Sequence, residues 1–148
     1  MSKKGIDIFS KSIQVFALGA MLTKASQMGV ERGVGLILVK SKGLSPAHSV
    51  MYKVLNDIER DPDPSRGKDD KGTNYFAVAM SKLAGMLSTG CDSGEIHFRP
   101  LKSGEVPYRG GIVIETADAF VYIAFSGGTE DEDVSIATEG GMTLGLLD

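Results

Sequence analysis

The most distinctive run of residue types in the chain is Ser126-Gly127-Gly128-Thr129-Glu130-Asp131-Glu132-Asp133. Its two glycines permit a tight turn, and Thr129 with Glu132 three residues later has the spacing of a capping box, each side chain accepting from the other residue's backbone amide. Four carboxylates in one helical turn oppose the positive end of the helix dipole, and they cancel the field that a phosphate exploits. The run therefore has two readings. One is a purely structural strand-to-helix turn; the other is a turn whose Gly127 and Gly128 amides, with Thr129, line a pocket for a small molecule.

Other ligand-type donors are few. The two histidines, His48 and His97, lack the pairing that zinc requires, and a lone Cys91 allows neither an internal disulfide nor a multi-cysteine metal site. No metal is expected. His97 lies in Glu95-Ile96-His97-Phe98-Arg99, where alternation puts it on the polar side of a strand with Glu95 and Arg99. His48 reads as a surface residue at the start of an element, and seven methionines read as adaptable core filler. The phosphate-binding glycine fingerprint, the zinc-protease helix motif and the nucleophile elbow are all missing from the sequence.

The elements that must position these residues follow from periodicity. Ile13, Phe16, Ala17, Ala20, Met21, Ala25 and Met28 share a helical face, so a helix runs from about residue 7 to Met28 and stops at Gly29. Residues 34–39 form a nearly continuous apolar run, which predicts a buried strand. Residues 47–58 fit helical spacing, with Ser45-Pro46 as cap and first turn, although Val50, Tyr52 and Val54 also alternate as in a strand; pattern alone favours the helix. Residues 59–72 hold two prolines, two glycines and nine charges and read as a mobile loop inside one domain spanning residues 1–148.

A helix from Thr73 to about Ser88 follows, with Phe76, Ala77, Met80, Leu83, Ala84 and Leu87 on its apolar face. Three strands are predicted at 95–99, 111–116 and 119–125, the last two pairing antiparallel across a turn at Ala117-Asp118. A final helix starts after Thr129 and is expected to fray or break at Gly140-Gly141. The class is α+β, a mostly antiparallel sheet with helices packed on it.

Sixteen Lys and Arg against nineteen Asp and Glu give a net charge of −3, and the basic residues alternate with acids, as in Lys68-Asp69-Asp70-Lys71. Nucleic acid is not an expected partner, because phosphate binding gathers basic residues on one face. The apolar stretch 13–22 follows three lysines, but Asp7, Gln14 and Lys24 make it an amphipathic helix rather than a signal peptide or a membrane span. A reducing, cytoplasmic setting is expected. Self-association is also expected, since a helix-on-sheet domain leaves an open sheet edge or helix face to cover.

Around Ser126-Gly127-Gly128-Thr129, with Asp133 and Ile136-Ala137 after it, the chain resembles the GlcG/HbpS-like family, the haem-degrading-type domain also found at the C-terminus of some corrinoid adenosyltransferases. Gly104-Glu105-Val106-Pro107 is similar to that family's Gly-Gly-Val-Pro turn, with the second glycine replaced. The likeness is good over 104–141, fair over 13–43 and poor between. It implies a profilin-like or PAS-like fold with about five strands, and it makes residues 48–56 a strand, against the pattern reading. It also implies haem as a possible cofactor and a homo-oligomer. A haem site needs an apolar slot and an axial donor, and His48 and His97 are the candidates. The function that follows is a small-molecule or haem-binding module; the alternatives are an enzyme on a small metabolite and a protein-interaction domain.

Overall fold

The computed structural model describes residues 6–43 and 48–148. Strand β1 (Gly33–Ser41), β2 (Val50–Leu55), β5 (Gly111–Glu115) and β6 (Ala119–Ser126) form one antiparallel sheet in the order β2-β1-β6-β5. A two-stranded patch of β3 (Glu59–Arg60) and β4 (Thr73–Asn74) lies beside it. Helices α1 (Lys11–Gln27) and α3 (Glu130–Thr143) cover one face, and α2 (Tyr75–Thr89) covers the other. The α+β class and the antiparallel sheet are as the sequence predicts.

Alternation along the two central strands divides the core. Ile37, Val39, Val121, Ile123 and Phe125 point toward α1 and α3, while Leu36, Leu38, Tyr122 and Ala124 point toward α2. Both faces of β6 are therefore buried, which is why it reads as an unbroken apolar run. Among the described residues no helix is long and apolar enough to cross a membrane.

Four expectations are corrected. Residues 50–55 are a strand at the sheet edge, not part of a helix; Val50 and Val54 pack toward α2, and Tyr52 meets Phe76 edge-on at 5.0 Å. The proposed cap Ser45-Pro46 lies outside the described residues. Residues 95–99 are not a strand. They run along no partner strand, Phe98 is exposed, and Arg99 turns to a bidentate pair with Glu105, so the main sheet has four strands rather than five.

Helix α3 continues through Gly140-Gly141. A Cβ on Gly140 would sit 2.7 Å from Met21 Sδ, and one on Gly141 2.7 Å from Leu147, so these glycines let α3 approach its neighbours and close packing outweighs their low helix propensity. The fourth correction concerns α2, whose buried face is Tyr75, Ala79, Lys82, Leu83 and Met86, a rotation from the expected stripe that leaves Ala77 and Leu87 exposed. Its cap is Asn74, whose side chain accepts from the Ala77 amide at 2.9 Å.

Residues 59–72 hold a short 3-10 turn (Pro64–Arg66) and a clip in which Arg60 grips Asp70 at 2.7 and 3.0 Å. Asp70 also accepts from the Asp63 amide at 2.8 Å; these hydrogen bonds, Arg60 first, hold its carboxyl well below the usual range. Most of the segment is nonetheless exposed. Subtilisin is expected to make its first internal cut between residues 61 and 71, where few buried contacts hold the backbone. A first cut within 120–140 would contradict this.

Candidate functional site

Strand β6 delivers the chain to the turn Gly127-Gly128, and α3 begins on Thr129. The expected capping box is present: Thr129 Oγ1 accepts from the Glu132 amide at 3.2 Å and Glu132 accepts from the Thr129 amide at 2.8 Å. Gly127 adopts φ 155°, and a Cβ there would run into the Arg32 carbonyl, so the turn presses on the chain entering β1.

Below the turn lies a buried ion pair. Lys82, 2% exposed, donates to Asp133 Oδ2 at 3.0 Å and to the Phe125 carbonyl at 2.8 Å. The second oxygen of Asp133 accepts from the Gly128 amide at 2.8 Å, so the pair fastens the turn to α2. Gly110, at φ 124°, lets the loop before β5 cross directly over the pair; a Cβ there would lie 2.5 Å from Lys82 Nζ. Burial pushes the Lys82 ammonium down, against the attraction of Asp133. It pushes the Asp133 carboxyl up to about 6, against the attraction of Lys82 and the Gly128 amide.

Two joined cavities open above this pair. The outer cleft, about 770 Å³, lies between the chain entering β1, the loop at 60–66 and the turn at 127–129. An inner chamber of about 180 Å³ reaches Lys82 and Asp133. Arg60, Arg66, Tyr75, Gly127 and Gly128 border both, so the two are continuous, and the smaller is as open to solvent as the larger.

Gly127, Gly128 and Thr129 all border the outer cleft. His48 and His97 do not join them. His48 is exposed just before β2, and the His97 side chain is 76% exposed, with Glu95 at 3.2 Å. The half-buried Cys91 lies at the far end of α2 and borders neither cavity. Among the described residues no cluster of His, Cys, Asp and Glu could hold a metal ion.

Sequence reasoning missed Lys82 and Tyr75, and Tyr108, which borders the smaller cavity. A signal existed for Lys82: it shares a helical face with Tyr75, Ala79 and Met86 at steps of three and four, and a lysine on a buried face needs a partner.

No family model matches the chain, and no curated protein matches it. One solved structure, a PduOC:heme complex, is similar with a TM-score of 0.58 and 16% identity, covering 90% of this chain and 93% of that one. The chain shares the fold of that structure. At this identity the likeness establishes the fold, and function has to be argued from the site.

Proposed function

We propose that the chain is a small-molecule-binding module whose ligand enters the outer cleft and rests on the Gly127-Gly128 turn. The observation that carries this reading is that the smaller cavity adjoining the cleft is bordered by the buried Lys82–Asp133 pair. A buried ion pair is a poor way to stabilise a core, whereas a cavity ending on perturbed ionisable groups is the usual form of a ligand site. An enzyme could use the same pair. Here, however, both partners spend hydrogen bonds on each other and on backbone, which suits holding a ligand better than moving a proton.

Filling the chamber tests the reading. Val78 borders it from α2, and Val78→Trp is expected to obstruct it. Compounds from a panel of small metabolites that raise the melting temperature of the native chain are expected to lose that effect in the variant, because ligand stabilisation follows occupancy. Equal effects in both proteins, or none in either, would overturn the proposal.

Haem is a second reading, favoured by the similarity to a heme complex. The residues present do not make a haem slot. The cleft is lined by charged groups such as Glu31, Arg32, Asp61 and Arg66 rather than by an apolar slot; Tyr75 is a donor of axial type in its lining, and both histidines lie elsewhere. The groove along α1 at Val15, Phe16 and Ala20 is more apolar but has no His, Met, Cys or Tyr in its lining. Haemin titration is expected to give a sloping, unsaturable absorbance change that is indifferent to His48→Ala, His97→Ala and Tyr75→Ala. A sharpened Soret band saturating at a fixed ratio and lost in one of these variants would replace the present reading with haem.

A further inference from the structure

The inner chamber holds buried donors with unused capacity. Lys82 has three N–H groups and two acceptors among the described residues, the Phe125 carbonyl and Asp133. Tyr75, on the same face of α2 two turns earlier, is only 8% exposed, and its hydroxyl has no hydrogen-bond partner among the described residues. No buried side-chain oxygen or nitrogen among them is sealed off without a partner, so that hydroxyl reaches open space, and both cavities bordering Tyr75 are where it can do so. Donors with unused capacity on the wall of a cavity are where a ligand oxygen would be held.

The charge balance narrows the class. Arg60, Arg66 and Lys82 border the chamber against Glu130 and Asp133. Arg60 is held by Asp70, which is additional to that lining. Arg66 is half-exposed with only a loose contact to Asp63 at 3.8 Å. Of the acids, Asp133 is engaged through both oxygens, and Glu130 accepts from the Arg109 amide at 2.7 Å through one of its two. What the chamber still offers is mainly donors. The acidic first turn of α3, Glu130 to Asp133, at the same time repels a multiply charged phosphate.

We propose that the chamber recognises a small monocarboxylic acid, its carboxylate taking the free N–H of Lys82 and the hydroxyl of Tyr75 with Arg66 at the entrance. This rests on the cleft being the ligand site. A volume of about 180 Å³ suits an acid of a few carbons. The amide of such an acid has the same shape but no charge, and its NH₂ group would face donors, so the site should reject it.

Calorimetric titration with butyrate, butyramide and inorganic phosphate tests this on the full chain. Butyrate is expected to saturate at one per chain, and butyramide and phosphate to bind at least about tenfold more weakly, the effect of one lost hydrogen bond to a charged group. Tyr75→Phe, which removes a single oxygen, is expected to weaken butyrate about tenfold with the melting curve otherwise unchanged, and Arg66→Gln to weaken it less. Butyramide binding as well as butyrate, phosphate binding better, or an unaltered Tyr75→Phe variant would overturn the proposal. If neutral compounds bind the native chain but not Val78→Trp while butyrate fails, the cleft remains the ligand site and only the carboxylate assignment falls.

Discussion

Phe125→Asp is expected to leave no soluble folded protein. Phe125 is fully buried on β6, a central strand paired with β1 on one side and β5 on the other. Its ring lies over Gly33, where a Cβ would come within 2.6 Å of it, so β1 is shaped around this side chain. Truncating a core phenylalanine costs about 3–5 kcal/mol, and an unpaired buried carboxylate adds several more, against a total stability of about 5–15 kcal/mol. Soluble yield and circular dichroism read the result, with Phe125→Leu as the folded control. A soluble Asp variant with a native spectrum would mean that this strand is not interior.

Asp133→Ala carries the second large effect, a loss of about 3–5 kcal/mol, the range for removing one partner of a buried ion pair. The substitution leaves the Lys82 ammonium buried with the Phe125 carbonyl as its one acceptor, and it strands the Gly128 amide. Replacing both partners, Lys82→Met with Asp133→Leu, is expected to recover much of the loss, because apolar groups of similar size do without the desolvation cost. Urea unfolding at neutral pH measures both. A loss below about 1 kcal/mol for Asp133→Ala, the value for an exposed pair, would show that water reaches the pair freely.

How far the sequence announced all this depends on whether a signal was local. The Thr129–Glu132 box, β1 and β6 are legible because capping chemistry and a doubly buried strand leave their marks within a few residues. Residues 50–55 mislead because an edge strand needs burial on part of one face only, and Val50, Met51, Val54 and Leu55 satisfy both periods. Residues 95–99 alternate without a strand to pair with, and pairing is a tertiary fact. Gly140-Gly141 look like a break until Met21 and Leu147 are placed against them.

The site divides in the same way. The turn at Gly127-Gly128 is visible in the sequence, and Asp133 is singled out there by the family resemblance, with nothing to show that it is buried or paired. Its partner Lys82 lies 51 residues earlier, hidden in an apolar helix, and Tyr75 gains its meaning only when α2 crosses the end of β6. Apolar spacing fixed the wrong stripe on α2 because it counts hydrophobic residues and passes over a buried lysine.

The central claim is that ligands are held in the cleft above Lys82 and Asp133. The most direct measurement is a fragment screen read by amide chemical shifts of the labelled protein, with acids, bases and neutral compounds included. The account predicts that saturable shifts concentrate at Gly110, Gly127, Gly128 and Thr129 and vanish in Val78→Trp. Shifts that gather instead along α1 or around His97, with the amides of 127–129 unmoved, would contradict it.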